Sequence, residues 1–288
     1  MGLHDNSLLV YMSASVWTAR RFDKGASTKL AHDANAVAQS ARVNKHLLAS
    51  ADKELRDVSA AMQRARSIVM DNTLPWDDAG NRICSNRGVL KLVSAFEVER
   101  TEFYAAVDRF VAAYPKLREA GLAALGELAN ADDYPPVESV RDKFRLRLSL
   151  TPVAETITGA VREGITQQQV EAIEHHYQAR VQEQQGIALA AAWERLRDAT
   201  RLLVARLTPE DGKRSVLRDA VVDNLLQTTE TLRGLNVFGS TELDSACQEV
   251  QSLLRGVTAK DLREGEGLAA QVRDQADALV KRLEGLLV

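Results

Sequence analysis

Residues 27–70 read STKLAHDANAVAQSARVNKHLLASADKELRDVSAAMQRARSIVM. Leu30, Ala34, Val37, Ala41, Asn44, Leu48, Ala51, Leu55, Val58, Met62, Ala65 and Val69 recur at alternating spacings of four and three. That is a heptad seam, and neither Gly nor Pro interrupts it. The spacing predicts one helix of about 44 residues, roughly 65 Å long. A helix of that length needs a partner for its seam. Asn44, a polar residue on an apolar seam, reads as a register-fixing position.

The partner follows in sequence. Thr73-Leu-Pro-Trp-Asp-Asp-Ala-Gly-Asn-Arg82 is a turn, because Pro75 and Gly80 stop a helix and Asp77, Asp78 and Asn81 favour turns. A second helical run starts near Asn86 with Val89, Leu92, Phe96, Phe103, Val107, Phe110, Tyr114 and Leu117 on one face. Pro115 is expected to kink this helix or start a new segment. The two runs predict a long antiparallel coiled-coil-like helical hairpin.

Two segments alternate with a period of two. Ser7 to Trp17 is one. Lys143-Phe-Arg-Leu-Arg-Leu-Ser-Leu150 is the other, with Phe144, Leu146, Leu148 and Leu150 on one side and Lys143, Arg145 and Arg147 on the other. An isolated strand is unstable, so the two are expected to pair as a small two-stranded antiparallel β-ribbon. After a loop at Gly159 and Gly164, a long helix is expected from Thr166 to Leu207, closed by Pro209 to Gly212. Shorter helices follow at about 213–233, 240–256 and 266–286, with Thr258 and Asp261 as a capping box. The expected class is therefore predominantly all-α. Residues 1–155 hold the hairpin and strands, and residues 156–288 a C-terminal helical bundle.

The chain has 288 residues, a net charge of −3, 45% hydrophobic residues and only 5% aromatics. A core of Ala, Leu and Val suits close-packed helices, and the near-neutral charge argues against a strongly basic nucleic-acid binder. Cys84 and Cys247 match no metal spacing, and they point to a reduced, cytoplasmic protein. The apolar stretch Leu8 to Trp17 is too short and too broken by serines for a signal peptide or membrane span.

No catalytic constellation, cofactor loop or metal set emerges. Gly265 and Gly267 lie between helices with no preceding strand, so they read as a turn. Glu171 and His175 share a helix face, but no third ligand is nominated, so His175 and His176 read as solvated. Asp77 and Asp78 are adjacent in an exposed turn, where their acidities would not separate. The feature with chemical content is the set Arg20, Arg21, Arg141, Lys143, Arg145 and Arg147. Like charges along one strand face repel unless water, carboxylates or phosphates compensate. The set is a candidate contact patch for an acidic protein surface or a phosphate backbone. It also reads as a solvated edge whose charges block strand pairing.

Ala14-Ser-Val-Trp-Thr-Ala-Arg-Arg21, Leu74-Pro-Trp-Asp77 with Arg82, Tyr114-Pro115, and Asp133-Tyr-Pro135 leading to Arg141-Asp-Lys-Phe144 resemble a bacterial family, the domain of unknown function 3150. The resemblance covers roughly the first 155 residues. It implies a phage- or prophage-encoded protein of the host cytoplasm, found with a MoxR-type AAA+ ATPase and a protein bearing a von Willebrand A domain. The family has no assigned activity, so the resemblance implies no catalytic residues. The expectation is a non-enzymatic interaction protein or adaptor, with nucleic-acid binding through the basic face as the alternative. A homo-oligomer is compatible with either.

Overall fold

The computed structural model describes residues 3–37, 39–48, 53–155, 166–209 and 217–286. Helical residues make up 68% of them, consistent with the expected mostly helical class. In chain order the elements are α1 (Leu3–Asn6), β1 (Ser7–Ser15), β2 (Arg20–Asp23), α2 (Lys24–Asp33), β3 (Val43–His46), α3 (Lys53–Asp71), β4 (Leu74–Pro75), β5 (Arg82–Ser85) and α4 (Val89–Leu125). Then come β6 (Arg145–Pro152), α5 (Gln167–Leu207), α6 (Asp219–Leu235), α7 (Thr241–Leu253), α8 (Ala259–Glu264) and α9 (Glu266–Gly285). Among the described residues, no helix is long and apolar enough to cross a membrane.

The segment 27–70 is not one helix. It is divided into α2, β3 and α3, of 10, 4 and 19 residues. Three local causes act. The Asp23 carboxylate accepts from the Ala26 N–H at 2.8 Å and so starts α2 before the seam begins. Asn35 adopts a left-handed conformation, φ 50°, just past the end of α2. Residues 43–46 then pair antiparallel with β2, Arg20 opposite His46 and Asp23 opposite Val43. Leu30 and Val37 are 51% and 69% exposed, so these seam positions cover nothing. Asn44 lies opposite Phe22 in the ribbon and fixes no helical register.

The two-stranded ribbon is also larger than expected. Residues 7–15 and 145–152 are neighbours, but within a four-stranded sheet of order β4-β5-β1-β6. The turn after α3 supplies the additional strands: Ser7–Val10 pair antiparallel with Ser85–Arg82, and Leu74–Pro75 with Ile83–Arg82. Helix α4 passes through Pro115 unbroken. The proline forfeits one helical hydrogen bond, and the complete burial of Phe110 and Tyr114 on the preceding turn offsets that loss.

The chain divides into two compact units, each built from segments distant in sequence. Unit 1 comprises residues 1–11, 69–93 and 149–288, and unit 2 residues 12–68 and 94–148. The cause is long-range pairing: the start of β1 needs β5, and β4 packs on α5. In unit 1, α5 packs against α6 and α9, and α7 and α8 complete the cluster. Thr166 caps α5 and Thr258 caps α8, each in a capping box. Gly159, Gly164 and the closing residues Glu210 to Gly212 lie outside the described residues.

Unit 2 centres on aromatic rings. Trp17 lies 5.7 Å from Tyr114, and Phe110 lies 5.3 Å from Phe144, both edge-on. The Tyr114 hydroxyl donates to the Pro135 carbonyl at 2.8 Å. A buried ion cluster lies in the same unit. Lys45, 8% exposed, places Nζ 2.6 Å from Asp133 and 3.1 Å from Asp23, and donates to the Leu128 carbonyl at 3.0 Å. The Asp133 carboxylate holds the Lys45 ammonium above its ordinary pKa against the opposing effect of burial. The Ala26 N–H and then Lys45 hold the Asp23 carboxyl below its own.

Next to this cluster the chain approaches itself closely. The Tyr134 hydroxyl donates to the Leu47 carbonyl at 2.5 Å. Gly121 on α4 faces the same carbonyl, and a Cβ there would sit 2.1 Å from the Leu47 oxygen and 2.9 Å from the Tyr134 hydroxyl. Both obstacles are held in place, so relief requires backbone movement. Gly121→Ala is therefore expected to destabilise the protein by about 2 kcal/mol, although alanine is the better helix former. Denaturant unfolding that finds the variant as stable as the parent would contradict this packing.

Candidate functional site

The cations singled out in the sequence separate into two groups. Arg20 and Arg21 lie on β2, in the ribbon with β3, and so belong to a different sheet from β6. The left-handed residue Ala19, φ 51°, precedes β2 and redirects the chain. Arg21 is 3.5 Å from Asp133. Arg141 lies in the short 3-10 turn Val140–Lys143, where it is paired with Asp108 of α4. Lys143 closes that turn and Arg145 and Arg147 begin β6, all three exposed. Among the described residues none of these three has a carboxylate partner.

The residues between them explain why the cations face outward. Phe144 and Leu146 are 5% and 1% exposed, with Phe144 seated on Phe110. Alternation then requires positions 145 and 147 to face away. The inward pattern fades along the strand, and Leu150 is 42% exposed. The Ser15 hydroxyl donates to the Lys143 carbonyl at 3.0 Å, so the end of β1 meets the beginning of β6. β6 is an edge strand, and the Tyr104 hydroxyl of α4 accepts the Leu146 N–H at 3.3 Å, which caps one backbone group there. The side chains, more than the strand edge, are the available surface.

The other candidates settle differently. His175 and His176 are exposed, and among the described residues no three His, Cys, Asp or Glu side chains converge as metal ligands. Cys84 and Cys247 are buried and free. Burial pushes their thiols up to about 11 and about 12, so neither is a thiolate nucleophile at neutral pH. The Asp77 carboxylate closes its turn: it accepts the Asn81 backbone N–H at 2.9 Å and the Asn81 side-chain amide at 2.8 Å. Gly80, φ 90°, completes that turn in a conformation that favours glycine. Asp78 and His176, 98 residues apart in sequence, line one cleft of unit 1.

Compared with protein-family models, curated proteins and solved structures, the chain matches none.

The orientation of β6 rests on Leu146. Leu146→Asp places a carboxylate at a position 1% exposed. The cost of an unpaired buried charge is about 3 kcal/mol or more, so the unfolding midpoint is expected to fall sharply. A midpoint equal to the parent's would show that Leu146, and hence the outward face of Arg145 and Arg147, is wrongly placed.

Proposed function

We propose that this chain is a non-enzymatic helical interaction protein, an adaptor that meets an acidic protein surface through Lys143, Arg145 and Arg147. The observation that carries this reading is that three exposed cations, Lys143 at the end of the 3-10 turn and Arg145 and Arg147 on β6, have no carboxylate partner among the described residues, whereas Arg21 and Arg141 do. Clustered exposed cations repel one another, and a partner's carboxylates relieve that repulsion on binding. The family resemblance extends the reading to a phage- or prophage-encoded protein of the bacterial cytoplasm. On that extension its partners are a MoxR-type AAA+ ATPase and a von Willebrand A-domain protein.

Nucleic-acid binding is the second reading. One observation favours it: on β2, beside Arg20 and Arg21, Phe22 is 45% exposed with the Arg42 guanidinium 5.1 Å from its ring centre. Exposed aromatics between cations are what a single-strand binder uses to stack bases. Against it stand the net charge of −3, which repels a polyanion at long range, and the burial of Phe144, the aromatic residue within the β6 stripe.

Fluorescence anisotropy with labelled DNA and RNA separates the two, using the parent and a variant with Lys143→Glu, Arg145→Glu and Arg147→Glu. The adaptor reading expects weak binding at physiological salt that the triple change leaves unaltered. It also expects loss of the acidic protein partner that the parent retains from host cells. Micromolar or tighter nucleic-acid binding abolished by the triple change would replace the adaptor reading with the second one.

A further inference from the structure

A cleft in unit 1 gathers polar groups that the fold itself leaves unused. One wall is the turn that carries Trp76 and Asp78, and the other is a face of α5. On α5, His176, Arg180 and Glu183 or Gln184 follow at spacings of four and then three or four, which places them on one side of the helix. The open cleft has a volume of about 460 Å³, ample for a small organic molecule.

Two of these groups are buried. Trp76 is 4% exposed and Gln184 is 8% exposed. Among the described residues, neither the Trp76 indole N–H nor the Gln184 carboxamide has a hydrogen-bond partner in the protein, and neither is sealed from water. Both polar groups therefore meet water in the cleft, and a ligand that reproduces those hydrogen bonds displaces that water. The four exposed groups are also uncommitted: Asp78, His176, Arg180 and Glu183 make no ion pair among the described residues. The neighbouring Asp77 is different, since Asn81 occupies both its carboxylate oxygens.

The chemistry of the uncommitted groups defines what they would hold. Trp76 and Arg180 are donors only, and Gln184 has an amide N–H₂ to add. Three donors around one space suit a carboxylate, and the guanidinium binds it in a bidentate fork. Asp78 and Glu183 are acceptors that suit an ammonium or guanidinium. With two free carboxylates against one guanidinium, the uncommitted set is net negative at neutral pH, so it favours a ligand whose total charge is zero or positive. No three His, Cys, Asp or Glu side chains among the described residues converge on a metal position, which points to an organic ligand.

We propose that this cleft binds a small amino-acid-like zwitterion. The ligand's carboxylate lies against Arg180, the Trp76 indole N–H and the Gln184 amide, and its cationic group lies between Asp78 and Glu183. The site shares no residue with the β6 face, so the two readings stand or fall separately.

The full chain has three tryptophans, Trp17, Trp76 and Trp193, so a ¹⁵N spectrum carries three indole N–H signals and the Trp76 signal reports on the cleft. The probes are free arginine, agmatine, which lacks the carboxylate, and acetate, all at constant ionic strength. The expected result is a saturable shift of the Trp76 signal by arginine at millimolar or tighter affinity. Agmatine and acetate should each bind about tenfold or more weakly. Arg180→Ala and Glu183→Gln alter exposed side chains, so they should fold as the parent does and each weaken arginine binding by about tenfold or more. No saturable shift would mean that water alone fills the cleft and would overturn the proposal. Equal affinity for arginine and agmatine would do the same, as would an Arg180→Ala variant that binds arginine like the parent.

Discussion

The ammonium of Lys45 is the constraint on which unit 2 depends. One buried nitrogen joins three parts of the chain: Asp23 at the junction of β2 and α2, Asp133 in the turn after α4, and the Leu128 carbonyl. Asp23 has a second duty, since its other oxygen caps α2. Burying these charges costs several kcal/mol per ion, and the cost is recovered only when each is well paired. The cluster meets that condition with two carboxylates, a carbonyl and the nearby Arg21. Its position then determines its neighbours. Leu47, two residues after Lys45, accepts from Tyr134, the residue after Asp133. The helix passing that contact has room only for glycine at 121.

This cluster also explains why the first long helix was not legible. A heptad pattern records which residues repeat, but not whether anything covers them. Leu30 and Val37 fit the seam and are exposed, while Lys45, off the seam and charged, is buried. What ends α2 and creates β3 is the pairing of residues 43–46 with β2 and the docking of Lys45 on two carboxylates distant in sequence. Segments whose structure depends on nearby residues were readable. Helix α5 begins one residue after the expected Thr166 and ends at the expected Leu207, and the Thr258 capping box is present. The last helices lie close to their expected spans. β5 was missed because four residues, Arg82-Ile-Cys-Ser85, carry too little alternation to stand out beside a turn signal.

The same distinction governs the site. The cations of β6 were visible because strict alternation is a local pattern, and Phe144 and Leu146 orient it. Arg20 and Arg21 were expected to lie close to that face through the pairing of the basic strand with a strand at 7–17. That strand ends at Ser15, and the chain re-enters a different sheet at Arg20. The cleft was not legible at all. Asp78, His176, Arg180 and Glu183 are individually ordinary surface residues, and only the packing of β4 on α5 brings their segments together. The burial of Gln184 in a polar stretch of α5 is the one trace it leaves, and a sequence does not show which glutamine is buried.

The most direct test of the Lys45 cluster is a double-mutant cycle on stability with Lys45→Met, Asp133→Asn and the pair together. Lys45→Met alone should cost about 3 kcal/mol, because it leaves buried carboxylates unpaired. Residues in one ionic network couple by about 1–3 kcal/mol, so the double variant should be less destabilised than the two single variants summed. Strict additivity, with a coupling indistinguishable from zero, would contradict the claim that this ion cluster holds unit 2 together.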